Sequence, residues 1–200
     1  MQNGEKLKYL QRYYGHIGIY RSSDGSTKRP KPQVEVTKIN KLTKEFSQIE
    51  VKTTTQSKIL KLKLHLAGIY NIYNAIASIS VADNLKLPTN KTIDSLINTS
   101  AAFGRAENIR YRDTNFKLLL IKNPTGFNQV IQTFLKPKPR DTDILIAIND
   151  KIADGRDVSW LWDTAIEDIT DYSGKIVCTG TRAYDMALRL KYAGIKGYTV

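Results

Sequence analysis

Hydrophobic and polar residues alternate between residues 33 and 64, and this alternation predicts antiparallel strands. In residues 58–64, leucines and lysines take turns along the chain, which is the pattern of a half-buried strand. Residues 33–39 and 47–54 alternate in the same way. Residues 1–32 show no helical period and end in Lys-Arg-Pro-Lys-Pro, which favours an extended linker.

The period then changes to that of a helix. In residues 68–85, isoleucines recur at spacings of three and four residues, and Pro88 lies just beyond the end. A second helix is predicted from Lys91 to Phe103, with Thr89 or Asn90 as its cap.

From residue 108 onward, short apolar runs alternate with helical patterns. The predicted strands are 108–113, 116–122, 143–149, 175–179 and 197–200, and the predicted helices are 126–136, 159–169 and 181–193. This order is typical of a parallel sheet covered by helices, so an α/β fold is expected.

Composition is that of a globular protein with one or two domains. The chain has 200 residues, of which 41% are hydrophobic, and no apolar run approaches the ~18 residues of a membrane span. The start carries no apolar segment of the signal-peptide type. The single cysteine, Cys178, lies in an apolar run and is expected to be buried and inert. These features predict a cytoplasmic protein without a transmembrane segment.

The net charge of +12 is concentrated in the first third of the chain. Residues 1–64 carry 14 Lys and Arg against 5 Asp and Glu, whereas residues 65–200 carry 17 against 14. A basic region of this kind suits nucleic acid, an anionic membrane or a phosphorylated ligand. The alternative is a solvated, lysine-rich surface.

Residues 150–163 form the most informative segment. They contain four aspartates and two tryptophans and directly follow the apolar run 144–148, which is predicted to be a buried parallel strand. Ligands of open α/β sheets meet the protein at the carboxyl ends of such strands. The segment is therefore either a functional acidic loop or a loop with helix-capping aspartates and two core tryptophans.

Three further positions are candidates for ligand binding. Asn71 and Asn74 share one face at a helix start, where two carboxamides can read a purine edge or simply supply polarity. Arg105 can clamp a phosphate or pair with Glu107. Asn123 begins a strand-to-helix turn, which exposes backbone amides to a ligand. The two histidines are too far apart to suggest a metal site.

Seven motifs in order resemble the Mur ligase-type subunits of lipid II isoglutaminyl synthase, the MurT family. The matching segments span nearly the whole chain: 13–18, 29–32, 68–75, 104–107, 122–128, 154–163 and 182–189. The resemblance implies the C-terminal part of a Mur ligase central (ATPase) domain in residues 1–103, including a degenerate zinc-ribbon-like insert in residues 1–32. It also implies a Rossmann-like C-terminal domain in residues 104–200.

The resemblance also implies a reaction. Such enzymes use ATP and Mg²⁺ to activate the α-carboxylate of D-glutamate in the lipid II stem peptide, in peptidoglycan biosynthesis. Ammonia from a GatD-type glutamine amidotransferase then displaces phosphate and gives D-isoglutamine. The implied partners are this glutaminase and lipid II at the membrane surface, with no role for nucleic acid.

The same resemblance assigns roles to individual residues. Asn71 and Asn74 are expected beside the adenine, Arg105 at the nucleotide, and Asn123 at the ribose or phosphates. Asp157 is the first choice, and Asp154 the second, for a carboxylate that completes the catalytic site of the glutaminase.

The sequence departs from the family pattern in two places. The nucleotide phosphate loop and the magnesium ligands are expected to precede residue 1, so this chain alone should not hydrolyse ATP. The cysteines of the family's zinc ribbon are absent near residues 3–4 and 22–25, and a thiolate cage cannot form without thiols, so no zinc is expected. The alternative functions are an inactive scaffold that keeps the glutaminase-binding face, or a basic nucleic-acid-binding module.

Overall fold

The computed structural model describes residues 6–14, 17–56, 58–100, 105–136 and 142–200, with the side chains of Tyr14 and Arg105 left out. The strands are β1 (Leu7–Tyr14), β2 (Ile17–Ser22), β3 (Val34–Leu42), β4 (Ser47–Thr53), β5 (Leu60–Leu64), β6 (Arg105–Tyr111), β7 (Thr114–Leu119), β8 (Ile144–Ala147), β9 (Ile176–Thr179) and β10 (Tyr198–Thr199). The helices are α1 (Ile69–Asn84), α2 (Thr89–Ile97), α3 (Pro124–Val130), which continues as one π-helical turn (Ile131–Leu135), and α4 (Ala183–Tyr192).

The predicted antiparallel strands are confirmed. Strands β3, β4 and β5 form a three-stranded sheet in that order, and both pairs are antiparallel. Alternation buries one side of β4 and β5 against α1. The first core consists of Val34, Ile49, Val51, Leu62, Leu64, Ile72, Ala75 and Ile79.

Helix α2 is shorter than predicted and begins earlier. It runs from Thr89 to Ile97, because the carbonyl of Pro88 already accepts the backbone N–H of Thr92. Residues 101–104, which include the predicted domain boundary, lie outside the described residues.

No individual strands were predicted in residues 1–32, but the structure contains two strands between residues 7 and 22. Strands β1 and β2 pair as an antiparallel hairpin. Register shifts after Tyr9 and Arg12 break the alternation of β1, which is why its pattern could not be recognised. The chain then returns at Lys28, which forms an isolated bridge with Arg21.

The C-terminal part contains a parallel sheet in the order β10-β9-β8. Strands β6 and β7, which the alternation placed in the same sheet, instead form a separate antiparallel hairpin. Only Arg112 and Asp113 connect them, and a parallel pairing requires a much longer connection. The second core is built around the following buried residues: Phe127, Ile131, Ile146, Leu161, Ile166, Ile176, Met186 and Leu190.

Two predictions near the acidic loop need correction. Strand β8 is not buried on both faces, because Leu145 is 69% exposed while Ile146 is buried. Residues 159–169 form two separate 3-10 turns, Ser159–Asp163 and Ile166–Ile169, rather than an α-helix. The Arg189 side chain binds the carbonyls of Leu161 and Thr164, which an α-helix would have used for its own ladder.

Candidate functional site

The acidic loop lies at the carboxyl end of the parallel sheet, as predicted. It starts directly after β8, where Asp150 is fastened to the end of β9. The Thr181 hydroxyl donates to Asp150 Oδ1 at 2.8 Å and accepts the Asp150 backbone N–H at 3.2 Å. Gly180, with φ +93°, allows this approach, since an added Cβ would lie 2.3 Å from the Ile148 carbonyl oxygen.

A charge network holds the start of α4 against this loop. Arg182 donates to both carboxylate oxygens of Asp185, at 2.7 and 2.9 Å, and forms an ion pair with Asp150 at 3.4 Å. The hydrogen bond from Arg182 lowers the pKa of Asp185, and the hydrogen bond from Thr181 lowers the pKa of Asp150. These carboxylates are therefore ionised at neutral pH.

Asp157 is exposed on the wall of an open depression. The depression has a volume of about 310 Å³ and is lined by Arg156, Asp157, Val158, Ser159, Trp162, Arg182 and Asp185. Oδ1 of Asp157 accepts the Ser159 backbone N–H at 2.8 Å, and this bond is the main cause of a lowered Asp157 pKa. The side chain is thus an oriented, ionised hydrogen-bond acceptor that faces solvent.

Asp154 lies three residues earlier, in a turn closed by its backbone N–H on the Lys151 carbonyl at 2.9 Å. Its carboxylate is exposed and accepts no hydrogen bond within the described parts of the chain. Next to it, the Ala153 carbonyl accepts Lys122 Nζ at 3.3 Å, which joins the loop to the turn after β7. Asp154 therefore shares the loop with Asp157 but is less fixed in orientation.

Asn123 is the N-cap of α3. Its Oδ1 accepts the Gly126 backbone N–H at 2.7 Å, and Pro124 occupies the first helical position. The cap uses the oxygen of this carboxamide, and its amide nitrogen stays at the surface. Helix α3 is also tied to the segment after the acidic loop, because Asn128 Oδ1 accepts the Ala165 backbone N–H at 2.7 Å.

Asn71 and Asn74 contact each other, as their spacing predicts. Asn71 is buried and donates to the Ala67 carbonyl at 2.8 Å, while the exposed Asn74 donates to Asn71 Oδ1 at 3.3 Å. Asn71 therefore orients the exposed carboxamide of Asn74. The Arg105 side chain lies outside the described residues, and its backbone pairs with Leu119.

The candidate residues form two groups. One is the asparagine pair on α1. The other combines the acidic loop, the turn at Asn123 and the start of α4. Within the described ranges, no hydrogen bond or ion pair joins the two groups.

Sequence reasoning did not single out Arg189, which organises the second group. It is 4% exposed and donates to Leu161 at 3.0 Å, to Thr164 at 2.7 Å and to Glu167 at 2.9 Å. Its guanidinium also lies over the Trp162 ring, 5.7 Å from the centroid. A single arginine inside an amphipathic helix carried no signal of these distant partners.

An exposed apolar stripe on α4 was also missed. Tyr184, Leu188 and Tyr192 follow one another at four-residue intervals and are all exposed. Trp162 packs edge-on against Tyr192, with ring centroids 5.5 Å apart, and connects this stripe to the depression beside Asp157. The four-residue spacing was visible in the sequence, but the exposure of these residues was not.

Cys178 is buried, and burial raises the pKa of its thiol to about 11, so it is not a nucleophile at neutral pH. Searching the described residues finds no group of three or more His, Cys, Asp and Glu side chains that could hold a metal ion. The same part of the chain contains no helix with the length and apolar character required to cross a membrane.

The fold is shared with Mur ligases. The structure matches a pseudomurein peptide ligase type C from Methanothermus fervidus with a TM-score of 0.71 and 24% sequence identity, covering 99% of this chain and 36% of that chain. MurC from Thermotoga maritima matches with a TM-score of 0.62 and 15% identity, covering 85% and 37%. These likenesses show the fold alone, which is that of a Mur ligase-type protein.

Sequence relatives are more specific. The MurT ligase C-terminal family matches residues 120–200. Over 94% of its length, the chain is 32% identical to the lipid II isoglutaminyl synthase (glutamine-hydrolyzing) subunit MurT of Streptococcus pneumoniae, and over 96% it is 28% identical to that of Staphylococcus aureus. The predicted resemblance is confirmed: the chain is related to MurT subunits, and residues 120–200 match the MurT ligase C-terminal family. It spans 41% and 42% of the length of these curated relatives.

Proposed function

We propose that this chain forms part of the ligase subunit of a lipid II isoglutaminyl synthase, which makes it part of a carbon–nitrogen ligase of peptidoglycan biosynthesis. The enzyme would amidate the D-glutamate α-carboxylate of the lipid II stem peptide, using ATP and glutamine-derived ammonia. One observation carries the proposal: Asp157 is an oriented, ionised carboxylate at the carboxyl end of the sheet, beside an exposed apolar stripe.

Asp157 would act on a histidine of a GatD-type glutaminase. A carboxylate that accepts an imidazole N–H fixes the tautomer of the ring and stabilises its charged form, which activates a neighbouring cysteine. Ser159 holds Oδ1 of Asp157 and so orients the exposed carboxylate that would accept the imidazole N–H. Glutamine hydrolysis would then depend on assembly of the two subunits.

The stripe of Tyr184, Leu188 and Tyr192 would provide the apolar contact for the same partner. Aromatic side chains are enriched at the centres of protein interfaces, and Trp162 links the stripe to Asp157. Burying the stripe beside the depression would bring the partner's catalytic site to the carboxylate.

The nucleotide would be bound by the other candidates. Asn74, oriented by Asn71, offers a carboxamide to the adenine, and the amide nitrogen of Asn123 offers a donor to the ribose or phosphates. Arg105 would pair with phosphate. ATP with Mg²⁺ supplies the phosphoryl group that activates the substrate carboxylate.

The first experiment measures glutamine hydrolysis by the assembled pair. We expect Asp157→Asn to retain the partner in a pull-down and to reduce hydrolysis by about a hundredfold or more, because an amide cannot stabilise the charged imidazole. Asp154→Asn is the matched control on the same loop and should keep the rate. Unchanged hydrolysis in Asp157→Asn would show that Asp157 does not have this role.

A second experiment tests the nucleotide role of Asn123. Asn123→Asp keeps an oxygen for the α3 cap, whereas Asn123→Ala loses it and should cost about 1 kcal/mol of stability. We expect Asn123→Asp to preserve the thermal midpoint but to weaken binding of an ATP analogue in the complex, because its carboxylate repels phosphate. Equal nucleotide affinity in the wild type and this variant would argue against the assignment.

The second candidate function is an inactive scaffold that retains the glutaminase-binding face. This alternative is favoured because the Asn71 amide donates to the Ala67 carbonyl and the Asn123 oxygen accepts the Gly126 N–H, so both groups hydrogen-bond within the protein and not to a ligand. Isothermal titration with ATP separates the two: a scaffold would bind the glutaminase but give no nucleotide signal even in the complex.

A further inference from the structure

The described residues between 6 and 32 form a strongly basic unit, here called the basic hairpin. It consists of β1, β2 and the returning segment that bridges to β2 at Lys28. It carries seven lysines and arginines and one aspartate, Asp24. That carboxylate is already engaged, because the Ser22 and Ser26 hydroxyls donate to it at 2.5 and 2.9 Å.

Three of these basic residues form a ladder across the hairpin. Lys8 lies directly opposite Arg21, and Arg21 lies opposite Lys28 on its other side. All three are exposed, and none forms an ion pair with a carboxylate in the parts of the chain that the structure describes. Like charges placed opposite each other destabilise a sheet, so stability does not explain this arrangement. An external anion that bridges the three side chains would remove the repulsion.

Exposed aliphatic side chains accompany the ladder. Leu10 is 64% exposed and lies two residues from Lys8, while Ile19 is 37% exposed and lies two residues from Arg21. Ile19 and Arg21 are alternate residues of β2 and share a face, and Leu10 lies at the register shift of β1, next to Gln11, which pairs with Ile19. Phosphates next to an apolar layer are the complement of this surface, and that combination exists at the headgroup boundary of an anionic membrane.

We propose that the basic hairpin docks on an anionic phospholipid surface. Lys8, Arg21 and Lys28 would contact lipid phosphates, and Leu10 and Ile19 would enter the boundary between headgroups and acyl chains. Nucleic acid shares the phosphates but offers no apolar layer for aliphatic side chains. The docking goes beyond the proposed ligase function and would hold the chain close to a lipid-linked substrate.

The test is co-sedimentation of the full chain with phosphatidylcholine vesicles that contain phosphatidylglycerol. We expect vesicle binding to fall as the salt concentration rises. We also expect the double variant Lys8→Gln with Arg21→Gln to bind the vesicles more weakly, by about fivefold for each charge removed. The matched charge control is Lys175→Gln with Lys196→Gln, which should bind like the wild type. Because the hairpin double variant removes like-charge repulsion, its thermal midpoint should not fall.

The contribution of the exposed aliphatic side chains to vesicle binding is tested with a second matched pair of variants. Leu10→Ser should weaken vesicle binding, whereas Leu85→Ser changes a leucine of the same 64% exposure at the C-cap of α1 and should not. The proposal fails if the vesicles do not bind the chain, if both charge pairs matter equally, or if Leu10→Ser and Leu85→Ser behave alike. It also fails if a single-stranded oligonucleotide binds while the vesicles do not. None of these readouts requires ligase activity, so they are independent of the proposed function.

Discussion

At the scale of single residues, hydrogen-bond partners decide what each polar side chain does. Asn123 and Asp157 both accept a backbone N–H through one side-chain oxygen, yet only Asp157 is charged. Arg189 is buried, and its guanidinium donates to the carbonyls of Leu161 and Thr164, which lie 28 and 25 residues earlier in the chain. Residue type alone does not distinguish such roles.

Arg189→Met should destabilise the C-terminal part by about 3 kcal/mol, because it leaves the Thr164 carbonyl without a donor and removes one of the hydrogen bonds to the Leu161 carbonyl. Urea unfolding followed by the fluorescence of Trp160 and Trp162 measures this change. Glu167→Gln is the control: this side chain is 56% exposed, and its loss should cost less than about 1 kcal/mol. Equal effects of the two substitutions would mean that the ion pair, not the carbonyl contacts, holds the segment.

Acid should destabilise the protein through three hydrogen-bonded aspartates in and next to the depression. Hydrogen bonds lower the pKa of Asp150, Asp157 and Asp185 in the folded state, so unfolding takes up protons at low pH. Their stabilisation is complete above the unfolded pKa and is lost as pH falls through the folded value. We therefore expect the free energy of unfolding to be level above about pH 5 and to fall below it.

Asp185→Asn should lower stability at neutral pH and weaken this acid dependence, since the variant has one fewer carboxyl group with a lowered pKa. Asp154→Asn is the control, because the Asp154 carboxylate accepts no hydrogen bond within the described residues and its loss should change stability little. Thermal midpoints recorded across this pH range would decide, and parallel profiles for wild type and Asp185→Asn would contradict the explanation.

At the scale of elements, close backbone contact joins β8 to β9. Gly180 has φ +93° and lies against the Ile148 carbonyl, while Gly155 in the acidic loop has φ +87° with open space around it. Substitutions at these two glycines therefore separate the free-energy cost of a left-handed backbone conformation from that of a steric clash.

Gly155→Ala should cost about 1 kcal/mol, which is the conformational cost alone. Gly180→Ala should cost about 2 kcal/mol more, because its Cβ forces the two strand ends apart. Urea unfolding measures both. Similar losses would show that the strand ends move apart easily.

The turn of the basic hairpin is held by hydrogen bonds. Ser22 is buried, its hydroxyl accepts the Thr27 backbone N–H at 3.0 Å, and its backbone N–H donates to the Thr27 carbonyl at 2.7 Å. We therefore expect a zinc chelator to leave the thermal midpoint unchanged and Ser22→Ala to lower stability by about 1 kcal/mol. Zinc bound in stoichiometric amount to the purified chain, or a chelator-induced loss of stability, would contradict this expectation.

At the scale of the whole molecule, there are two cores. The first lies between the antiparallel sheet and α1, and the second lies under the parallel sheet, where Ala67 also packs. Apart from Ala67, the described residues of the first core precede the proposed domain boundary near residues 103–104, and those of the second core follow it.

Ile49→Ala and Ile166→Ala each remove a fully buried side chain and should each cost about 3 kcal/mol. Trp160 packs against the second core and Trp162 lies in the same 3-10 turn, so their fluorescence reports unfolding of that part. We expect Ile166→Ala, and not Ile49→Ala, to shift the fluorescence transition. An equal shift from both would mean that the cores unfold as one unit.

Much of the fold was predictable because periodicity is a local property. The isoleucine spacing of α1 and the alternation of β4 and β5 matched the observed elements closely. The segment 159–169 was not predictable, because its helical pattern is overridden by Arg189 from a distant helix. Strand β1 was missed because bulges interrupt its alternation.

The sequence by itself determined the order of the elements from β3 onward apart from the segment 159–169, the position of the acidic loop after a parallel strand, and the relationship to MurT. Each depends on neighbouring residues or on motifs in order, which the chain displays without folding. Only the tertiary structure decided that the Asn71 and Asn123 side chains hydrogen-bond to the protein's own backbone. The same is true of the ion pair that joins Arg182 of α4 to Asp150, and of the contact by which Trp162 links the stripe of α4 to the depression beside Asp157. Hydrogen bonds and packing between distant segments exist only after the chain brings them together, so no local pattern encodes them.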